Sequence, residues 1–228
     1  MQKIWWTLLL SCYSVVVLAQ PTFPVNGVQD KRPERFALAN GTLHLPAGEV
    51  LSGGTIVMEK GRLTAIGVDG EVEIPEGTVV YDLAGKHVYP SFIDLYHSYG
   101  MPDVAHTKLP PRTLPPRISE KRGAFGWNEA IRPEVAAADH FEPDEKAAKA
   151  MRALGFGAVV THQPDGIIRG TGALTLLGAG SANEMLAMPQ VAAYYSFHKG
   201  SSQQAYPASL MGAMALIRQT YYDAQWYD

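Results

Sequence analysis

The feature that most constrains this chain is a change of pattern at Pro90. Before it, apolar residues fall in short strand-like segments: Arg35 to Asn40, Thr42 to Leu45, Thr55 to Glu59, Arg62 to Gly67, Val72 to Ile74 and Thr78 to Leu83, with His87-Val88-Tyr89 after a turn at Ala84-Gly85-Lys86. Lys60-Gly61 reads as a two-residue hairpin turn, with glycine supplying the positive φ. Short strands at such close spacing predict a small β-sandwich. After Pro90 the period changes. Pro143-Asp144-Glu145 opens a helix with Ala147, Ala148, Met151 and Leu154 on one face, Gly155 caps it, and Ala158 to Thr161 reads as a buried strand. Helix, glycine turn and strand make one step of an α/β fold.

The two patterns meet in Tyr89-Pro90-Ser91-Phe92-Ile93-Asp94-Leu95-Tyr96-His97-Ser98-Tyr99-Gly100. With the hairpin at Gly53 to Gly67 and the segment Val79 to Tyr89 before it, this run resembles the amidohydrolase superfamily, and within it exported, imidazolonepropionase-like members. Their first barrel strand reads Pro-Gly-hydrophobic-Ile-Asp-x-His-x-His, and the two histidines bind a catalytic metal. Pro90, Ile93 and Asp94 match, and Ser91 replaces the glycine. Tyr96 and Ser98 stand at the metal-binding histidine positions, so the His-x-His pair is degenerate, and the histidine present, His97, lies between them.

The resemblance implies an α/β fold with two parts: an N-terminal portion of a β-sandwich over residues 20–89, and the first part of a TIM-like (β/α) barrel over 90–228. It implies a hydrolase of carbon–nitrogen bonds other than peptide bonds, working through a metal-activated water. The cofactor implied is a divalent metal such as zinc, provided that later strands supply further ligands. Alternation along a strand puts Phe92, Asp94, Tyr96 and Ser98 on one face and turns His97 to the other. His97 becomes a ligand only if a bulge flips the register.

The N-terminus carries Lys3 and an apolar run from Ile4 to Leu18, with Val17 and Ala19 where a signal peptidase requires small residues. This predicts a signal peptide over residues 1–19 and a periplasmic or secreted protein without stable membrane insertion, since the run is shorter than the ~20 residues of a span. Leu9-Leu10-Ser11-Cys12 has the form of a lipobox, but the apolar run continues past Cys12, which favours ordinary cleavage. Cys12 is the only cysteine, so the cleaved chain has no disulfide or thiol chemistry. The whole sequence has 19 basic and 22 acidic residues, formal charge -3, which gives no electrostatic case for nucleic acid. The partners expected are a small-molecule substrate and a second copy of the chain.

Residues 101–142 are proline-rich and carry Lys108, Arg112, Arg117, Lys121 and Arg122, which reads as a long irregular loop. His162 falls at the C-terminal end of the Ala158 to Thr161 strand, the catalytic end in barrels. Asp165-Gly166 then turns the chain and brings Arg169 past it. His162 and Arg169 are the candidate catalytic residues. Gly170 and Gly172 lack the Lys-Ser/Thr of a nucleotide loop, so no cofactor-binding site is assigned there. Ser209 precedes a last helix whose Leu210, Met211, Met214, Ile217 and Tyr221 read as a core stripe. That helix pattern reaches Asp228 without a stop signal, so the chain is expected to be an N-terminal fragment, inactive alone. Tyr96 and Ser98 also admit a second class of function: a non-catalytic periplasmic binding or assembly protein on a degenerate amidohydrolase scaffold.

Overall fold

The structure, a computed structural model, describes residues 33–105, 119 and 128–228. The expected signal at 1–19, Cys12 and the basic residues between 106 and 127 lie outside these. The chain divides into two compact units between Tyr89 and Pro90.

The described part of the first unit is one mixed sheet. Its centre is β1 (Arg35–His44), antiparallel to β2 (Val50–Glu59) and parallel to β4 (Val79–Asp82) and β5 (His87–Val88), while β3 (Arg62–Val68) pairs antiparallel with β2. The two expected strands Arg35 to Asn40 and Thr42 to Leu45 are therefore one strand. Asn40 adopts φ 57° and the register against β2 shifts on either side of Gly41, which bends the strand without ending it. Lys60 and Gly61 both take positive φ, 50° and 75°, as a twisted two-residue hairpin requires. Val72 to Ile74 is not a strand. Val72 instead packs over Gly67, where an added Cβ would come within 2.9 Å of its Cγ2. Ala37, Leu43 and Val57 are buried on the sheet. The expected sandwich has a single layer among the described residues.

The second unit begins as expected, with β6 (Phe92–His97) and β7 (Phe156–Thr161) parallel to each other. Between them run α1 (Ala137–His140) and α2 (Glu145–Ala153). Asp144 caps α2 by accepting from the N–H groups of Lys146 and Ala147 at 2.9 and 3.1 Å, and Ala148 buries against Val159, Tyr99, Phe141 and Leu177. This is a βαβ step.

The barrel expectation needs correcting beyond that step. β8 (Ile168–Leu176) runs antiparallel to β7, and β9 (Leu186–Tyr195) antiparallel to β8, giving the order β6-β7-β8-β9 and no closed barrel. The reason is connection length. Only residues 162–167 join β7 to β8, whereas a parallel return takes roughly a dozen residues or more. The turn from β8 to β9 holds a short helix, α3 (Ala182–Met185). The final helix, α4 (Leu210–Tyr227), starts at Ser209, whose hydroxyl accepts from Gly212 N. Its buried residues are Ala213 and Leu216, packed on Ala130 and Ile167. The expected stripe is largely exposed, with Met211 80% accessible. Small Ala213 permits close approach to that surface, and its neighbours Leu216 and Ile217 set the buried face.

Candidate functional site

The end of β6 does not keep strict alternation. Asp94 pairs with Val159 but His97 with Thr161, so β6 spends one more residue than β7 over the same distance. The Asp94 carboxylate accepts from Tyr96 N at 2.9 Å within this bulge. The ladder then resumes, with His162 N donating to His97 O at 3.0 Å. As a result Tyr96, His97 and Ser98 all contribute to the lining of one cleft of about 570 Å³. His162 and Arg169 form a second wall, and His198, Lys199 and Ser202 a third.

His162 leaves the end of β7 and is 1% exposed. The Tyr194 ring of β9 stacks on it at 4.1 Å between centroids and 4° between planes, and Tyr96 lies tilted at 4.4 Å. Gly172 makes this possible, because a Cβ there would sit 2.3 Å from the Tyr194 ring. Tyr194 donates its hydroxyl to Leu95 O at 2.6 Å, which ties β9 back to β6. Burial, then the charge of Asp94, raises the Tyr194 pKa above the usual phenol value.

Arg169 is 7% exposed. Its Nε donates to Gly166 O at 3.1 Å, and its Nη1 to Tyr96 Oη at 2.7 Å and His162 Nε2 at 3.1 Å. A guanidinium can only donate, so His162 Nε2 is the acceptor and its proton sits on Nδ1. That Nδ1 is buried without a hydrogen-bond partner, as is His97 Nδ1. Burial first, and the Arg169 charge second, lower the His162 pKa from 6.5 to about 4.

The third wall is held by Asp165, which is buried and accepts from Arg132 Nη1 at 2.5 Å, Ser201 N at 2.7 Å and Ser201 Oγ at 2.9 Å. Lys199 donates to Gln204 O, and burial lowers its pKa. Among the described residues no carboxylate lines the cleft. The site therefore offers positive charge, N–H and O–H donors and neutral acceptors, with no carboxylate among the described lining residues.

The structure thus brings the sequence candidates His162, Arg169, Tyr96, His97 and Ser98 into one place. Sequence reasoning missed Tyr194, His198, Lys199 and Ser202. The signal for three of them was the polar cluster His198-Lys199-Gly200-Ser201-Ser202, which interrupts two apolar stretches.

No protein-family profile matches the sequence, and no curated protein does. Among solved structures the chain is similar to an amidohydrolase from Thermotoga maritima MSB8, with TM-score 0.60 and 21% identity over 84% of this chain and 48% of that one. Over the aligned residues the chain shares that protein's fold. It spans about half the length of that protein. E. coli guanine deaminase aligns at 18% identity and TM-score 0.27 over 56% of this chain and 29% of its own, and a D-hydantoinase (dihydropyrimidinase) from Thermus sp. at 19% and 0.25 over 56% and 27%.

A divalent metal, which the amidohydrolase resemblance implies, does not fit the residues present. Tyr96 and Ser98 are poor replacements for two imidazoles. Among the described residues no group of three or more His, Cys, Asp or Glu converges on a point that could hold an ion. His162 has its proton on Nδ1 and a fixed guanidinium 3.1 Å from Nε2, which would repel a dication.

Proposed function

We propose that this chain is the N-terminal portion of an exported protein of the amidohydrolase superfamily, and that its cleft binds a small molecule without a metal held by the first strand of the α/β unit. The observation that carries this reading is the position of Arg169. It is bonded to Tyr96, at a family metal-ligand position, and to His162, so the guanidinium supplies the positive charge a metal would otherwise bring. Export is supported by the apolar run Ile4 to Leu18 with Val17 and Ala19 behind it.

The fold favours a second reading, a hydrolase of carbon–nitrogen bonds other than peptide bonds, with metal ligands from strands outside this sequence. A fold alone does not fix a function. Metal analysis of the full chain, dialysed after exposure to zinc, separates the two when combined with assays on amide, cyclic amide and dipeptide substrates. The binding reading expects substoichiometric metal and no turnover. Stoichiometric zinc together with cyclic amide hydrolysis would replace it with the hydrolase.

A further inference from the structure

Arg169 has a feature that its internal hydrogen bonds do not account for. The ion pairs among the described residues are Arg35–Glu59, Lys60–Glu34 and Arg132–Asp165, and Arg169 belongs to none of them. A buried guanidinium keeps its proton, and a buried charge is ordinarily paired because desolvation is costly. Here the groups bonded to it are neutral: a peptide carbonyl, a phenol oxygen and an imidazole nitrogen that accepts. Its Nε and Nη1 are engaged, and no acceptor among the described residues meets Nη2, while the residue lines the cleft.

We infer that the cleft binds a small organic carboxylate, whose oxygen meets Arg169 Nη2 and supplies the missing counter-charge. This deepens the binding reading above and rests on it. Two further observations favour a carboxylate over a phosphate. The amides of Ser202, which lines the cleft, and of its neighbour Ser201 are already donated, to Lys199 O and Asp165 Oδ1, so these two cannot join a backbone cradle of the kind that receives phosphate. Of the two cationic side chains lining the cleft, Lys199 is bonded to Gln204 O, which leaves the guanidinium as the group free to face a single negative charge. His198, Ser98 and Ser202 supply polar groups for the rest of the molecule.

The test is to titrate the full chain with propionate, its neutral isostere propionamide, and inorganic phosphate at fixed ionic strength, following the Arg169 Nε–H resonance by NMR. The expected result is propionate binding at least about tenfold tighter than propionamide and no weaker than phosphate. Arg169→Met should abolish the difference between acid and amide. Arg169→Lys, which retains the charge on a different stem, should recover part of it. The comparison of acid with amide uses the unaltered chain, so it stands even if a variant does not fold. Equal binding of propionamide overturns the carboxylate inference and leaves the cleft a small-molecule site. Phosphate binding tenfold tighter than propionate also overturns it. If no probe moves the Arg169 resonance, the binding reading falls together with the inference.

Discussion

At the scale of single residues, His162 couples the site to pH. Its pKa is 6.5 when unperturbed and about 4 in the fold, so between these values the unfolded chain holds a proton that the native chain does not. Stability therefore falls as pH drops from about 6.5 towards about 4, and levels off below. The shift corresponds to about 3 kcal/mol. Arg169, Tyr96 and Tyr194 side chains face His162, and His97 accepts its backbone N–H. Urea unfolding at about pH 7 and about pH 4.5 should show the loss, and His162→Gln should remove most of it. His97→Asn should leave most of the loss in place if His162 is its source. A backbone position gives a second prediction. Gly170 has φ +76°, and an added Cβ would lie 1.9 Å from Val135 O. Gly170→Ala should cost at least about 3 kcal/mol, measured by urea unfolding; a change below 1 kcal/mol, about the effect of an ordinary substitution, would show that β8 can move. The sequence made His162 and Arg169 visible through their place relative to a strand end. It could not show that they touch, because that depends on the tight turn at Asp165-Gly166. Nor could it show the bulge in β6, which comes from pairing with β7 and leaves no pattern of its own.

At the scale of elements, local chemistry was readable and pairing direction was not. The hairpin at Lys60-Gly61, the cap at Asp144 and the strand at Phe156–Thr161 follow from residue type and period. β8 and β9 were read through a barrel expectation, although residues 162–167 are too few for a crossover and Pro189 inside β9 marks an edge strand. The last helix misled for another reason: apolar residues surround it, so period alone could not choose a face, and Ala213 with Leu216 won. The segment carrying His198 and Lys199 has little regular structure and depends on Asp165. Asp165→Ala should leave Arg132 without its partner and free the Ser201 amide. Because Arg132 is partly exposed, the cost should be about 2 to 3 kcal/mol, below that of a fully buried pair. Faster hydrogen exchange should be confined to residues near Ser201 and Ser202; unchanged protection there would show that Asp165 does not hold this wall.

At the scale of the whole molecule, the described residues of the second unit leave two sheet edges and unequal means of protecting them. β9 is one edge, interrupted by Pro189, which cannot donate to an added strand. β6 is the other, and it carries Phe92, Ile93 and Leu95 at 65, 55 and 68% exposure with no proline within it. An exposed apolar edge is a template for strand pairing with another copy. This 228-residue sequence, expressed by itself, should therefore self-associate through β6 rather than β9. Sedimentation velocity over a range of concentrations should show a sedimentation coefficient that rises with concentration. Ile93→Lys and Leu95→Lys should shift the chain towards monomer, because a charge on an edge strand opposes pairing. Val191→Lys, on the proline-interrupted edge, should have a much smaller effect. Equal effects at the two edges would mean that association follows general surface hydrophobicity, to which Met211 and Trp226 on α4 also contribute at 80 and 89% exposure. A chain that remains monomeric throughout would show that neither edge is available for pairing in solution.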